Sequence, residues 1–419
     1  MKYNALPAYT GNRPVAWFSD GAGLADDITA AETADMSYIG IADDTDEAEF
    51  SSYVSVLETA GFACSWRRDA AAGLYRELTK DGTVVYLYYV PAERRTRIIA
   101  DNASLPLADF AADCPASPPG GEILMQYGLY YDEMIKGYTC DCGMLYTVKL
   151  ANGEFIVIDG GEKEQATNEA CRDVMARLVE QAGKKDVTVA LWLCTHPHDD
   201  HMDLFLKLMR VFGDTLHVKR VAFNFPAHAN LPLAPYISRM KARLRQCAPE
   251  AKYLKLHTGQ RFSLSGTAVD VLLTQEDALH VTGKERYSGT NETSAVVKIC
   301  TQDFSLTLLA DIPEENGDLL LARYREKELD CTFLQAAHHC INRIEEVYRH
   351  INARYVLIPE KTEMLKKHMA ENYATICKYH PADAVLPAGD ATSLFRCENG
   401  DLQIQRFPAP TGPYDGSEI

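Results

Sequence analysis

The sequence predicts an α/β fold, a four-layer αββα sandwich preceded by a small α+β domain. Three observations carry this reading. From residue 122 onward, short apolar runs such as Phe155-Ile156-Val157-Ile158 and Leu306-Thr307-Leu308-Leu309 alternate with segments of helical periodicity. One such run, Val187-Thr188-Val189-Ala190-Leu191-Trp192-Leu193-Cys194, leads directly into Thr195-His196-Pro197-His198-Asp199-Asp200-His201, as a buried strand leads into a functional loop. Residues 102–121 hold Pro106, Pro115, Pro118, Pro119, Gly120 and Gly121, a linker composition that sets residues 1–101 apart from 122–419.

In the first hundred residues a short strand is expected at 38–41. Thr45 offers an N-cap to a helix whose first turn carries Asp46, Glu47 and Glu49. Phe50, Tyr53, Val54 and Leu57 recur at helical spacing, and Gly61 ends the run. Strands follow at 62–68, 73–79 and 83–90, the last two joined by Asp81-Gly82, with a fourth at 97–100. This is one helix on an antiparallel sheet, without a catalytic constellation, and reads as a stabilising or interaction module.

Beyond the linker, 145–150 and 154–158 form a hairpin around Asn152-Gly153, and 170–182 is a helix with Val174, Leu178 and Val179 on one face. Residues 203–212 read as the helix behind the polar loop. Residues 218–225 are a strand and 235–246 a helix, whose Lys241, Arg243 and Arg245 read as a solvated face. A pair of strands falls in 252–274, and a hairpin of 295–299 with 304–309 turns at Gln302-Asp303.

The polar loop carries the chemistry. Three imidazoles and two carboxylates within six residues suit Zn²⁺, Mn²⁺ or Fe²⁺. On extended backbone His196 and His198 point the same way and can share one ion, while Asp200 and His201 turn toward a second.

The motif His-x-His-x-Asp-His resembles that of the metallo-β-lactamase superfamily. Phe155 to Gly161 looks like the family's early strand and Asp-Gly-Gly turn. Leu306 to Asp311 looks like the strand that delivers its bridging aspartate, and Leu334-Gln335-Ala336-Ala337-His338-His339 like the strand before its last histidine. Within the superfamily the chain is most similar to the hydrolase domain of ComEC-type proteins and related phosphodiesterases, through Asn291-Glu292-Thr293-Ser294 and the His338-His339 pair. Where that branch continues with Gly-Ser, this chain has Cys340-Ile341.

The resemblance implies two divalent ions, zinc first with manganese or iron as alternatives, and a bridging hydroxide as nucleophile. His196 and His198 would hold one ion, Asp200 and His201 the other, and Asp311 both. His338 or His339 completes the second site, with His338 favoured and His339 left to touch substrate. Asp200 would also orient the nucleophile and take its proton. Asp159 would orient a ligand imidazole, Asn291 and Ser294 would meet substrate, and His228 or His280 are the candidates for a further ligand.

The expected function is a metal-dependent phosphodiesterase on a small or single-stranded substrate. The alternatives are an acyl hydrolase (lactamase, lactonase or thioesterase) and a non-catalytic or redox metal scaffold. A net charge of −17 repels a long phosphate backbone but not a small molecule. The twelve cysteines show no disulfide framework; Cys140-Asp141-Cys142 is too tight for a zinc pair, and Cys194 and Cys340 read as buried apolar residues. With neither a signal-like segment nor a spanning run, a cytoplasmic protein without membrane partners is expected, and composition leaves a homo-oligomer open.

Overall fold

A computed structural model of the chain describes residues 6–10, 13–19, 37–101, 104–113, 120–129, 143–162, 166–226, 234–279, 289–388, 391–398 and 400–409. Cys140, Cys142, His228 and His280 lie outside these residues.

The N-terminal sheet contains β1 (Ala16–Ser19), β2 (Ser37–Ala42), β3 (Ala63–Ala70), β4 (Gly73–Lys80), β5 (Thr83–Val90) and β6 (Arg95–Asp101). They run antiparallel in the order β1-β2-β6-β5-β4-β3. Asp81 and Gly82 turn β4 into β5 with φ of 49° and 78°, the paired left-handed geometry that a two-residue hairpin needs. Helix α1 (Glu47–Thr59) lays Phe50, Tyr53 and Leu57 on one face of this sheet, over Leu78, Val85, Leu87 and Ile98. Its cap is Asp46, one residue later than Thr45. Asp46 and Glu49 accept each other's backbone N–H, while the Thr45 hydroxyl is buried against that of Thr96 at 2.9 Å.

The second sheet begins with β7 (Ile123–Gln126), β8 (Leu145–Lys149), β9 (Phe155–Asp159), β10 (Val187–Leu193), β11 (Leu216–Val218), β12 (Arg220–Phe223) and β13 (Lys252–Lys255). The third is β14 (Arg261–Leu264), β15 (Thr267–Leu273), β16 (Val296–Cys300), β17 (Ser305–Leu308), β18 (Cys331–Gln335), β19 (Ala353–Ile358) and β20 (Val385–Pro387), paired in that sequence. The hairpin β21 (Ala391–Glu398) and β22 (Asp401–Pro408) returns to close the second sheet beside β7, giving β13-β12-β10-β9-β8-β7-β21-β22 with β11 on β10.

The inner faces of these two sheets share one core, in which Phe333 and Phe395 meet across the gap at 5.3 Å. Helices α2 (Asn168–Ala182), α3 (Asp203–Phe212) and α4 (Ala234–Cys247) cover the outside of the second sheet through Val174, Leu178, Leu204, Leu208, Met240 and Leu244. A one-turn α5 (Gln275–Ala278) follows β15. Helices α6 (Glu314–Arg323), α7 (Glu326–Leu329), α8 (Glu345–His350), α9 (Thr362–His368) and α10 (Ala370–Tyr379) belong to the other side. There Leu320, Leu329, Val347, Tyr348, Leu365 and Ile376 pack on Leu309, Leu334 and Val356. The result is the four-layer αββα sandwich.

Two expectations change. The stretch 252–274 holds three strands, because Ser265 and Gly266 make a second tight turn at φ of 49° and 88°. The Lys241, Arg243 and Arg245 face is packed instead of solvated. Lys241 is buried, Arg243 pairs with Asp203 at 3.1 Å, and Arg245 lies over the Tyr253 ring, because α4 is pressed between α3 and β13.

The second face of the N-terminal sheet is buried too. Ile39, Tyr75, Tyr86, Tyr88 and Ile99 join the sandwich core. Within the stretch of linker composition, Leu107–Asp113 forms a 3-10 turn, with Phe110 against Phe262 and the Leu107 N–H on the Glu77 carboxylate. Charge crosses the same seam. Arg97 and Arg323, with fully buried side chains, share Glu93 and Asp277, including an Arg323–Asp277 contact of 2.7 Å. His257 bridges Asp101 at 2.6 Å and Glu276 at 3.1 Å.

Candidate metal centre

The carboxyl ends of two parallel strand pairs, β9 with β10 and β17 with β18, supply one site between the sheets. Such strand ends are where open α/β sheets place their ligands, since the connecting loops are free there. β9 ends on Asp159 (φ 56°), β17 is followed by Ala310 (φ 49°) and Asp311, and β18 by His338 and His339 (φ 48° and 52°). With Cys340 at 73°, five of the nine non-glycine residues with positive φ among those described belong to this site, a concentration of backbone strain typical of functional loops.

Four imidazoles meet two carboxylates here in two groups, each closing to within 4.8 Å: His196, His198 and Asp311, and Asp200, His201, His339 and Asp311. In the first, His196 Nε2 is 3.0 Å from His198 Nδ1 and 3.6 Å from Asp311 Oδ2. In the second, His201 Nε2 is 3.3 Å from Asp311 Oδ1 and 3.5 Å from Asp200 Oδ2. His339 Nε2 is 3.1 Å from Asp200 Oδ2 and 3.3 Å from His201 Nε2. Asp311 therefore offers one oxygen to each group.

The opposite nitrogen of every one of these rings is anchored. His201 Nδ1–H donates to Asp159 Oδ2 at 2.7 Å, and His339 Nδ1–H to the Pro359 carbonyl at 3.1 Å. His196 Nδ1 meets Thr195 Oγ1 at 3.2 Å, and that hydroxyl donates on to Asp159 at 2.8 Å. His198 Nε2 meets the Thr290 hydroxyl. Asp159 is fully buried and also accepts the Thr195 N–H, so one carboxylate orients the loop and two of its rings.

Burial, followed by the neighbouring His201, drives His196 well below the usual imidazole range, and burial lowers His198, leaving neutral lone pairs. Burial also opposes ionisation of Asp200 and Asp311, but the adjacent histidines prevail and hold both carboxyls below their ordinary values. The same carboxylates overcome burial at His201 and His339, pushing His339 up to about 10. This is a point of strong negative potential, where a divalent cation competes with protons.

The donor set fits such cations. Both oxygens of Asp311 are buried without a hydrogen bond and face the ring nitrogens of His196 and His201 at 3.6 and 3.3 Å, so a cation between them would meet carboxylate and imidazole donors together. Imidazole and carboxylate donors with anchored far sides are the usual surroundings of zinc, manganese or iron.

Most of the expected residues converge, and three placements change. His339, not His338, stands in the second group, because the left-handed turn directs its ring inward. His338 is 24% exposed at the open side, 3.7 Å from Asp311, and its Nδ1 donates to Asn342 Oδ1 at 2.9 Å. Asn291 donates through Nδ2 to His338 Nε2 at 3.2 Å, while its Oδ1 is buried without a hydrogen-bond partner. Ser294 is fully buried and accepts the Asp311 N–H at 3.3 Å, which removes it from substrate. Thr195, Thr290 and Asn342 were missed; side-chain oxygens adjoining a ligand run were the only available signal.

No family model matches the sequence, and no curated protein matches it. Solved structures of similar architecture include the metallo-β-lactamase fold protein YhfI from Bacillus subtilis, with 9% identity, 64% of this chain and 95% of that one covered, and a TM-score of 0.37. Zn²⁺-bound PqqB from Methylobacterium extorquens is 11% identical, over 51% of this chain and 72% of its own, at 0.32. The diiron β-hydroxylase CmlA from Streptomyces venezuelae is 13% identical, over 69% and 55%, at 0.37. Likeness at this level is general; the layers and strand orders above define the fold of this chain.

Proposed function

We propose that this chain is a metal-dependent hydrolase with a two-ion centre, cleaving a phosphodiester in a small or single-stranded substrate. The observation that carries the reading is the set of four anchored imidazoles converging on the unpartnered Asp311 carboxylate. His196 and His198 with one Asp311 oxygen would hold the first ion, and Asp200, His201 and His339 with the other oxygen the second. When bound, a pair of divalent ions lowers the pKa of a shared water toward neutrality and offsets charge growing on the electrophile.

The remaining roles belong to the chain. Asp200, kept ionised, orients the attacking water and accepts its proton at the carboxylate oxygen turned away from His201 and His339. His338, held in place by Asn291 and Asn342, lines the open side by which a phosphoryl group would enter. The phosphodiester assignment is supported by the Asn291–Ser294 and His338-His339 resemblance, and a small substrate by the net charge of −17.

The test is metal analysis of protein purified without added metal, followed by turnover of bis(p-nitrophenyl) phosphate with Zn²⁺ or Mn²⁺. About two ions per chain and phosphodiester turnover, both lost in His198→Ala, are expected. Turnover of nitrocefin, a lactone or a thioester with an inert phosphodiester would move the assignment to acyl chemistry. A chain that takes up no ion sinks the hydrolase reading.

A further inference from the structure

We infer that Thr290 is the positioning residue that selects the ligating nitrogen of His198, and thereby sets the affinity of the first ion. The inference rests on the two-ion reading above and deepens it. Three of the four rings in the centre present Nε2 to the cluster, but His198 presents Nδ1, 3.0 Å from His196 Nε2. A ring that ligates through Nδ1 must carry its proton on Nε2, and that proton needs an acceptor. The Thr290 hydroxyl is the group in contact with His198 Nε2. If the hydroxyl instead donates to Nε2, the proton sits on Nδ1 and points into the site, which excludes an ion there.

Thr290 is itself held. It is 6% exposed, and its carbonyl accepts the Thr293 hydroxyl at 2.6 Å and the Thr293 N–H at 3.0 Å, closing a 3-10 turn over Asn291–Thr293. The end of that turn is tied to the metal loop by Ala295 N–H on the Thr195 carbonyl at 3.0 Å, and to the bridging carboxylate residue by Ser294 on the Asp311 N–H. Residues 290–295 thus fix His198 and Asp311 from a segment that is neither the His196–His201 loop nor the β18 end. Part of the Asn-x-x-Ser signature therefore acts on the ligands and not on substrate.

Two measurements decide the matter. In metal-free wild-type protein with ¹⁵N-labelled histidine, long-range ¹H–¹⁵N spectra assigned with a His198→Gln control should show His198 as the Nε2–H tautomer; an Nδ1–H tautomer overturns the inference. Chelator competition should then show Thr290→Val binding one of its two ions about 10–100-fold less tightly than wild type, with the other ion unchanged and Thr290→Ser close to wild type. Equal affinity for both ions in wild type and Thr290→Val overturns the role of Thr290 while leaving the two-ion reading intact. Wild-type protein that binds no ion overturns both.

Discussion

His338, His339 and Cys340 hold φ of 48°, 52° and 73° in succession, a left-handed run that costs each β-carbon about 1 kcal/mol or more. Glycine accepts such a φ freely; a β-branched residue does not. Cys340→Gly is therefore expected to stay within about 1 kcal/mol of wild type, relief of strain offsetting the lost thiol burial, while Cys340→Val loses about 2–3 kcal/mol in chemical denaturation. Asp159→Asn should weaken metal binding about 10–100-fold in chelator competition, since it loosens the anchors of His196 and His201 together. Five of the six residues in the two ligand groups are legible in the sequence, because the dense loop after β10 and the aspartate after β17 follow apolar runs. The sixth, His339, is not, because the choice between His338 and His339 is made by backbone handedness. A glycine at 340 would signal that turn; a cysteine conceals it.

At the scale of elements, long periodic segments declare themselves and very short strands do not. Helix α3 is found at its predicted bounds because ten residues of amphipathic pattern outweigh any local ambiguity. β1, β7 and β20 span three or four residues each, too few to express a period, and become strands only through partners far along the chain. Contacts between elements are equally silent. Gly259 (φ 87°) lies where a β-carbon would fall 1.9 Å from a Tyr75 ring carbon, so Gly259→Ala should lower the melting temperature sharply, by several degrees or more. Arg97→Ala leaves Glu93 and Asp277 short of a buried partner and is expected to cost about 3–5 kcal/mol in denaturant titration.

For the molecule as a whole, the seam between the N-terminal sheet and the sandwich should make unfolding a single calorimetric transition; two resolved transitions would contradict this. The seam also sets a pH dependence. Burial disfavours charge on His257, but Asp101 and Glu276 prevail and push it from 6.5 up to about 10. Because its folded pKa lies above the unfolded one, its contribution is complete below about pH 6.5 and is lost as the pH rises through about 10. Wild-type protein should lose melting temperature between pH 7 and 10 more steeply than His257→Gln. The seam has a temporal side as well. The strand ending at Asp101 leaves the ribosome 156 residues before His257. At about 5–20 residues per second this is a delay of roughly 8–30 s, during which the tyrosine face of a finished sheet stands uncovered. The nascent chain is thus most in need of a chaperone before the sandwich that covers this face exists.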